Sequence, residues 1–209
     1  MIGNDIVDFN TAALQSNWQR RGFLEKLFSE NEQSLILNSE FPERGLWLLW
    51  AMKEATYKAH QRRFKLPRSF NPKQFNCEII SGDNTSVFGK IQIRDCSYYT
   101  QTFIGEEYLH CIASQFQQKK TVQKILSHST NIKQELILAV SELKKLPQAK
   151  ISIEKDRNFI PYLVCEGDKI NCDFSLSHHG IFSAFVLSLT QSQKPVKNIK
   201  TLCKIPFKL

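Results

Sequence analysis

WAMKEATYK, Trp50 to Lys58, is the stretch that decides how the rest of the chain is read. As a helix it sets Trp50, Glu54 and Lys58 four residues apart, so that they stack along one face. On spacing alone, a Glu one turn before a Lys is a common surface pair worth about 0.2–0.5 kcal/mol. The basic neighbours Lys53, Arg62, Arg63 and Lys65 suit a solvated face. A carboxylate and an ammonium beside a large ring also suit a site that handles phosphate. The segments around this run decide between the two.

Working outward, the apolar spacing over residues 46–59 gives a helix, with Pro67 beyond it as a breaker. Upstream, Phe23, Leu24, Leu27, Phe28, Leu35 and Ile36 follow a helical spacing that breaks at residues 29–32. Ser29 followed by Glu32 fits a capping box, so one helix ends and another begins there. Pro42 is expected to stop that segment. Before it all stands GNDIVD, Gly3 to Asp8, short, partly β-branched and bounded by polar residues, a strand. Asp5 interrupts the apolar character of that strand, and a carboxylate there needs a cation or a hydrogen-bond network. Asp8, ahead of a polar segment, suits a cap.

Downstream, residues 75–115 change character. CEII, SVFGKIQIRD, YYTQTFIG and YLHCIAS are short β-rich runs with turn residues between them, an antiparallel meander. KIQIR alternates, so one of its faces is wet. A polar basic seam at residues 117–120 marks a boundary, with one half at 1–117 and another at 118–209. The second block opens with a helix over residues 132–146, closed by Pro147. KISIEKD, PYLVC, DFSLSHH and IFSAFVLSL follow as strands, and a Lys-rich tail with Pro195 and Pro206 reads as loop. There is no sequence repeat, yet both blocks run helix first and strands after. The expected fold is therefore α+β, two similar halves, each a helix packed on an antiparallel sheet.

The chain has 209 residues, 42% of them hydrophobic, with 15 Phe and 3 Trp, enough for a substantial aromatic-rich core. A formal net charge of +8 favours an anionic partner: nucleic acid, phosphates, anionic lipid or an acidic protein. No apolar run approaches the roughly 18 residues of a membrane helix, and the start lacks the pattern of a signal peptide. The 6 Cys form no C-x-x-C pair and have no His at zinc-ligand spacing. Reduced, mostly buried thiols in a cytoplasmic protein are expected. Basic residues are dispersed and lack interleaved stacking aromatics, which argues against a nucleic-acid-binding module.

FSLSHHG, Phe174 to Gly180, adds a third cluster: Ser177 and His178 at a strand end before a glycine turn, where hydroxyl and imidazole can meet a phosphate. GNDIV, WAMKEATYK and FSLSHHG together resemble the three signature motifs of 4′-phosphopantetheinyl transferases, G-x-D, W-x-x-K-E-A-x-x-K and a Ser-His strand. The middle motif matches at Trp50, Lys53, Glu54, Ala55 and Lys58.

The resemblance implies transfer of the phosphopantetheine arm of coenzyme A to a serine of an acyl or peptidyl carrier protein. It implies a Mg²⁺ requirement and release of adenosine 3′,5′-bisphosphate. Asp5 and Glu54 would then be metal ligands, and Glu54 and Lys58 catalytic. Ser177, His178, Lys53 and Lys58 would bind coenzyme A, the first two at its 3′-phosphate. Trp50 would be packing. Val7 stands where larger members often carry a third acidic ligand, as in the small holo-acyl-carrier-protein synthase type, and Asp8 falls on the other face of a strand.

The Ser-His strand follows the other motifs here, whereas in two-domain Sfp-like members it precedes them. RNFIPYL also resembles the G-K-P-Y-L run of Sfp-like N-terminal halves, with Ile160 replacing the Lys. Halves in swapped order, a circular permutation, are expected, with a monomer closing its own inter-half site. Arg62, Arg63, Lys65 and Arg68 are expected to form a rim for an acidic carrier. A non-catalytic coenzyme A or carrier-binding relative is the alternative. The pathway served, whether fatty acid, polyketide or nonribosomal peptide, is left open.

Overall fold

The structure, a computed structural model, describes residues 1–117, 120–128 and 131–189. The expected loop character of the tail around Pro195 and Pro206 lies outside these. The fold is α+β with antiparallel sheets. Strand β1 (Ile2–Asp8) leads into α1 (Phe9–Gln15), α2 (Phe23–Leu27) and α3 (Glu30–Leu37). The capping box forms as expected. Ser29 N–H donates to Glu32 Oε2 at 2.8 Å, and Glu32 N–H donates to Ser29 Oγ at 3.4 Å.

Helix α4 (Pro42–Phe64) is longer than the apolar pattern indicated. Pro42 does not stop the upstream segment; it begins α4, because at the first turn its missing N–H leaves no helical bond unmade. The helix ends at Lys65, whose φ of 51° turns the chain out before Pro67. The meander follows as β2 (Asn76–Gly82), β3 (Ser86–Ile93), β4 (Cys96–Ile104) and β5 (Tyr108–Ser114). β1 joins its end, giving the order β1-β5-β4-β3-β2. α4 covers one face, where Ala51, Met52, Ala55 and Ala59 meet Val7, Ile91, Tyr98 and Leu109. In β3, Val87, Ile91 and Ile93 are buried while Phe88 is exposed, the alternation that KIQIR announced.

The second part contains β6 (Thr121–Ser127), α5 (Ile132–Lys144), β7 (Ile151–Lys155), β8 (Pro161–Cys165), β9 (Asp168–Ile170), β10 (Phe174–His179) and β11 (Phe182–Ser188). It makes two three-stranded sheets, β10-β11-β6 and β7-β8-β9. Leu136 and Val140 of α5 pack against Ile151, Leu163, Phe174 and Phe185. β6 escaped the sequence pattern because no residue in it is fully buried.

β1 holds the two parts together by strand alternation. Val7 packs in the core under α4. On the opposite face Ile2 packs with Val186 and Ile112, and Ile6 with Phe182 and Ala184. β1 is also an edge strand, and two of its outward amides are taken by side chains of β10. Asn4 N–H donates to Ser175 Oγ at 3.1 Å and Asp8 N–H to His179 Nδ1 at 2.9 Å.

His110, fully buried beside Asn4, makes the fold acid-sensitive. Burial, aided by the Lys58 charge, pushes its pKa from 6.5 down to about 4 against a contact with Gln123. The unfolded chain therefore binds a proton between pH 6.5 and 4 that the folded chain refuses. Stability is full above pH 6.5 and declines as pH falls through that window, by on the order of 3 kcal/mol from this residue. Urea unfolding at pH 7.5 and pH 4 measures the decline, and His110→Gln should flatten it; an equal decline in the variant would remove His110 as the cause.

Candidate active site

Gly3 places the site. A Cβ on it would lie 2.0 Å from Ala55 O and 2.7 Å from Ala59 N, so the bare backbone of β1 rests directly on α4. Two residues on, Asp5 returns to the same face of the strand and meets the helix. Lys58 Nζ donates to Asp5 Oδ1 at 2.9 Å and to Asn4 O at 2.9 Å. Glu54, one helical turn before Lys58, is half-buried. Burial, then the charge of Asp5, raises its carboxyl to about 7 against the opposing pull of Lys58. Asp5, Glu54 and Lys58 thus stand together, two carboxylates and one ammonium, poised to exchange a proton near neutrality.

The same arrangement bears on a cation. No group of three or more His, Cys, Asp or Glu is placed to hold a metal among the described residues. The charge of Asp5 raises the proton affinity of Glu54, so a cation placed between the two would be welcome. That donor set fits Mg²⁺, which keeps several waters and completes its shell with one or two carboxylates and substrate phosphates.

Trp50 sits edge-on to Phe70, ring centroids 5.6 Å apart at 71°, and Phe70 stacks in turn on Tyr57 and Phe75. The ring fixes the segment after the helix, as packing should. Lys53 is a correction. It is fully buried and its ammonium donates to Glu32 Oε2 at 2.7 Å, Leu27 O at 3.1 Å and Pro72 O at 3.0 Å. All three of its protons are spent inside the core, so it cannot bind the phosphates of coenzyme A. Glu32 completes this knot by accepting from Cys77 N–H at 2.9 Å. The expectation failed because the groups that hold Lys53, from Leu27, Glu32 and Pro72, lie 19 to 26 residues away in sequence.

Asp8 caps α1 through Thr11 N–H at 3.1 Å and accepts from Ile181 N–H at 3.0 Å. It pins the turn of the Ser-His hairpin, where a Cβ on Gly180 would strike Asp8 Oδ2 at 2.1 Å. It faces away from Asp5. Ser177 is only 5% exposed, and its hydroxyl accepts from Asn4 Nδ2 at 2.9 Å. His178 is exposed and leaves β10 on the other face. The structure thus joins Ser177 to the site through Asn4, but not His178.

Asn4, the unread middle of G-x-D, proves to be the hub: its amide also contacts His110 Nε2 at 3.0 Å and Ala184 O at 3.4 Å. Its only sequence signal was a polar side chain inside an apolar strand. Of the expected basic rim, Lys65 and Arg68 are exposed, and one member needs correction. The Arg62 guanidinium is buried, its pKa pulled down to about 10 against the field of Asp173, so it faces inward. Arg63 and Arg68 stack over Phe64 and Phe159 at 4.7 and 5.4 Å.

Fold and site together define an α+β protein whose acid–lysine cluster is clamped between an N-terminal strand and a long helix. The model of the 4′-phosphopantetheinyl transferase superfamily, ACPS, matches residues 1–113, which carry all of that cluster. Holo-[acyl-carrier-protein] synthase of Protochlamydia amoebophila (strain UWE25) is 32% identical over 116 residues, 53% of this chain and 87% of that protein. The chain belongs to the 4′-phosphopantetheinyl transferase superfamily. No helix among the described residues is long and apolar enough to cross a membrane.

Proposed function

We propose that this chain transfers the 4′-phosphopantetheine arm of coenzyme A to a serine of an apo acyl or peptidyl carrier protein, releasing adenosine 3′,5′-bisphosphate. The observation that carries the reading is the cluster of Asp5, Glu54 and Lys58, with Glu54 raised to about 7. The serine hydroxyl attacks the phosphorus that bears the pantetheine arm. Its proton passes to Glu54, which near neutrality is ready to accept one. The bond from that phosphorus to the bridging oxygen breaks, and the adenosine bisphosphate departs with the electron pair. Lys58, held in place by Asp5 and Asn4 O, stabilises the charge that gathers on the leaving phosphate.

Asp5 and Glu54 would hold Mg²⁺, which when bound supplies charge neutralisation at the pyrophosphate. Ser177 and His178 are assigned, by the resemblance, to the border of the 3′-phosphate. The acidic carrier approaches a chain of formal charge +8, which speeds encounter.

The division at 1–117 and 118–209 is likewise a proposal, in which the second half supplies the surface that completes the site. The family match ends at residue 113, and the Ser-His strand lies beyond it. A permuted order of halves accounts for that placement. One chain then contains both sides of the site, and the protein works as a monomer in the cytoplasm; a monodisperse trimer by light scattering would count against it.

The direct test incubates the purified chain with coenzyme A, Mg²⁺ and a panel of apo carrier proteins, and weighs the products. Addition of the arm to at least one carrier is expected. No addition to any, with coenzyme A binding confirmed, would overturn the reading and leave a binding-only relative.

A further inference from the structure

Asn4 is fully buried and stands where Lys58 meets the second part of the chain. In a β-strand the N–H and C=O of one residue leave on the same side, and in Asn4 both point off the outer edge of β1. There its N–H donates to Ser175 Oγ at 3.1 Å, and its C=O accepts from Lys58 Nζ at 2.9 Å. The grip of β10 on β1 and the anchor of Lys58 are therefore made by one residue. A carbonyl orients an ammonium without neutralising it, so the charge of Lys58 stays available to a phosphate.

The Asn4 side chain locks that residue from the face turned away from α4. Its amide nitrogen carries two protons. They meet Ser177 Oγ at 2.9 Å and His110 Nε2 at 3.0 Å, with Ala184 O beside them at 3.4 Å. His110, kept neutral by burial, accepts at Nε2 with its own proton on Nδ1. Ser175 and Ser177 are both buried and point from alternate positions of β10 towards β1. Ala184 comes from β11. Apart from His110, what fixes Asn4 on this face and edge belongs to the second part, far from Lys58 in sequence.

We propose that Asn4 is a positioning residue that places the Lys58 ammonium for the departing phosphate, and that Ser175 and Ser177 of the second part fix Asn4 in that setting. The inference rests on the transfer reading above for what Lys58 does. Fully enclosed, Asn4 meets no substrate and acts only through Lys58. A displacement of about 1 Å in a group of this kind costs up to about 100-fold in rate. The second part thereby governs the speed of the chemical step, and its contribution is separable from any contact it makes with coenzyme A.

The test measures single-turnover transfer at saturating coenzyme A for Asn4→Ala and Ser175→Ala, each alone and in a Lys58→Gln background. Asn4→Ala should slow the step about 10- to 100-fold and leave KM for coenzyme A close to that of the wild type. Ser175→Ala, which covers the case that the Asn4 variant fails to fold, should slow it in the same direction by less. In the Lys58→Gln background neither change should add much, because no ammonium is left to place. A residue that serves only the fold costs the same in both backgrounds.

A second readout needs no turnover. The Lys58 ammonium, followed by ¹⁵N-detected hydrogen exchange, should exchange faster in Asn4→Ala and in Ser175→Ala. That of Lys53, bonded to Leu27 O, Glu32 Oε2 and Pro72 O, should not change. Equal losses in the two backgrounds, or a Lys58 signal unaltered in both variants, would overturn the inference. The two readings fail separately. Transfer by the wild type with equal losses removes the role of Asn4 alone. No transfer to any carrier, with Lys58 exchange still set by Asn4 and Ser175, keeps the link between Asn4 and Lys58 and removes the enzyme.

Discussion

Glu54→Ala lowers turnover about 10²–10⁴-fold and leaves the thermal unfolding curve close to that of the wild type. On the proposed mechanism the loss is large because Glu54 takes the serine proton, and water reaching the same point would lack both its position and its basicity. The fold should tolerate the change. Glu54 is held above its ordinary pKa by burial and by Asp5, so its carboxyl costs stability where it stands. The Asp5–Lys58 pair at 2.9 Å remains when it is gone. Single-turnover mass measurement at saturating coenzyme A separates this from weakened binding. A decrease smaller than 10-fold in that step would mean another group accepts the proton.

Gly3→Ala has the larger effect on the fold. Its new methyl would sit 2.0 Å from Ala55 O and 2.7 Å from Ala59 N. Both atoms belong to the backbone of α4, tied into helical hydrogen bonds, and neither can swing aside as a side-chain tip can. Relief requires β1 to lift off the helix, which opens the packing of Val7 against Ala55 and Ala59 and draws Asp5 away from Lys58. A cost above about 4 kcal/mol is expected, enough to remove most of the stability of a domain at the low end of the ordinary range of about 5–15 kcal/mol. Urea unfolding followed by circular dichroism gives the figure. A midpoint within about 1 kcal/mol of wild type would show that the strand can shift, and that the glycine is not what seats it.

The legible parts of the chain were those set by local pattern. The capping box at Ser29 and Glu32, the alternation of KIQIR, and the α5 helix closed before Pro147 all depend on residues within a few positions of one another. So does the stacking of Glu54 above Lys58. What stayed hidden depends on partners that are distant in sequence. Lys53 shares the helix and the motif with Glu54, and only the arrival of Glu32 and of the Leu27 and Pro72 carbonyls turns it inward.

Arg62 looked like part of an exposed basic run until the segment around Asp173 covered it. Asn4 carries one amide that binds residues 106 and 173 positions away, which no window along the chain can register. β6 was missed for a different reason. Its exposed residues give no burial signal, and only its pairing with β11 makes it a strand.

The way β10 lies beside β1 has a consequence for how the molecule is kept apart from its own copies. A sheet edge with unoccupied amides is a template for any passing strand. Here Ser175 and His179 occupy the amides of Asn4 and Asp8 with side chains, so the edge is closed without extending the sheet and without offering a fresh edge of the same kind. A fragment ending before β6 would reopen it. The second part of the chain is thus a guard against self-association, and shortening the protein to residues 1–113 should trade solubility for size.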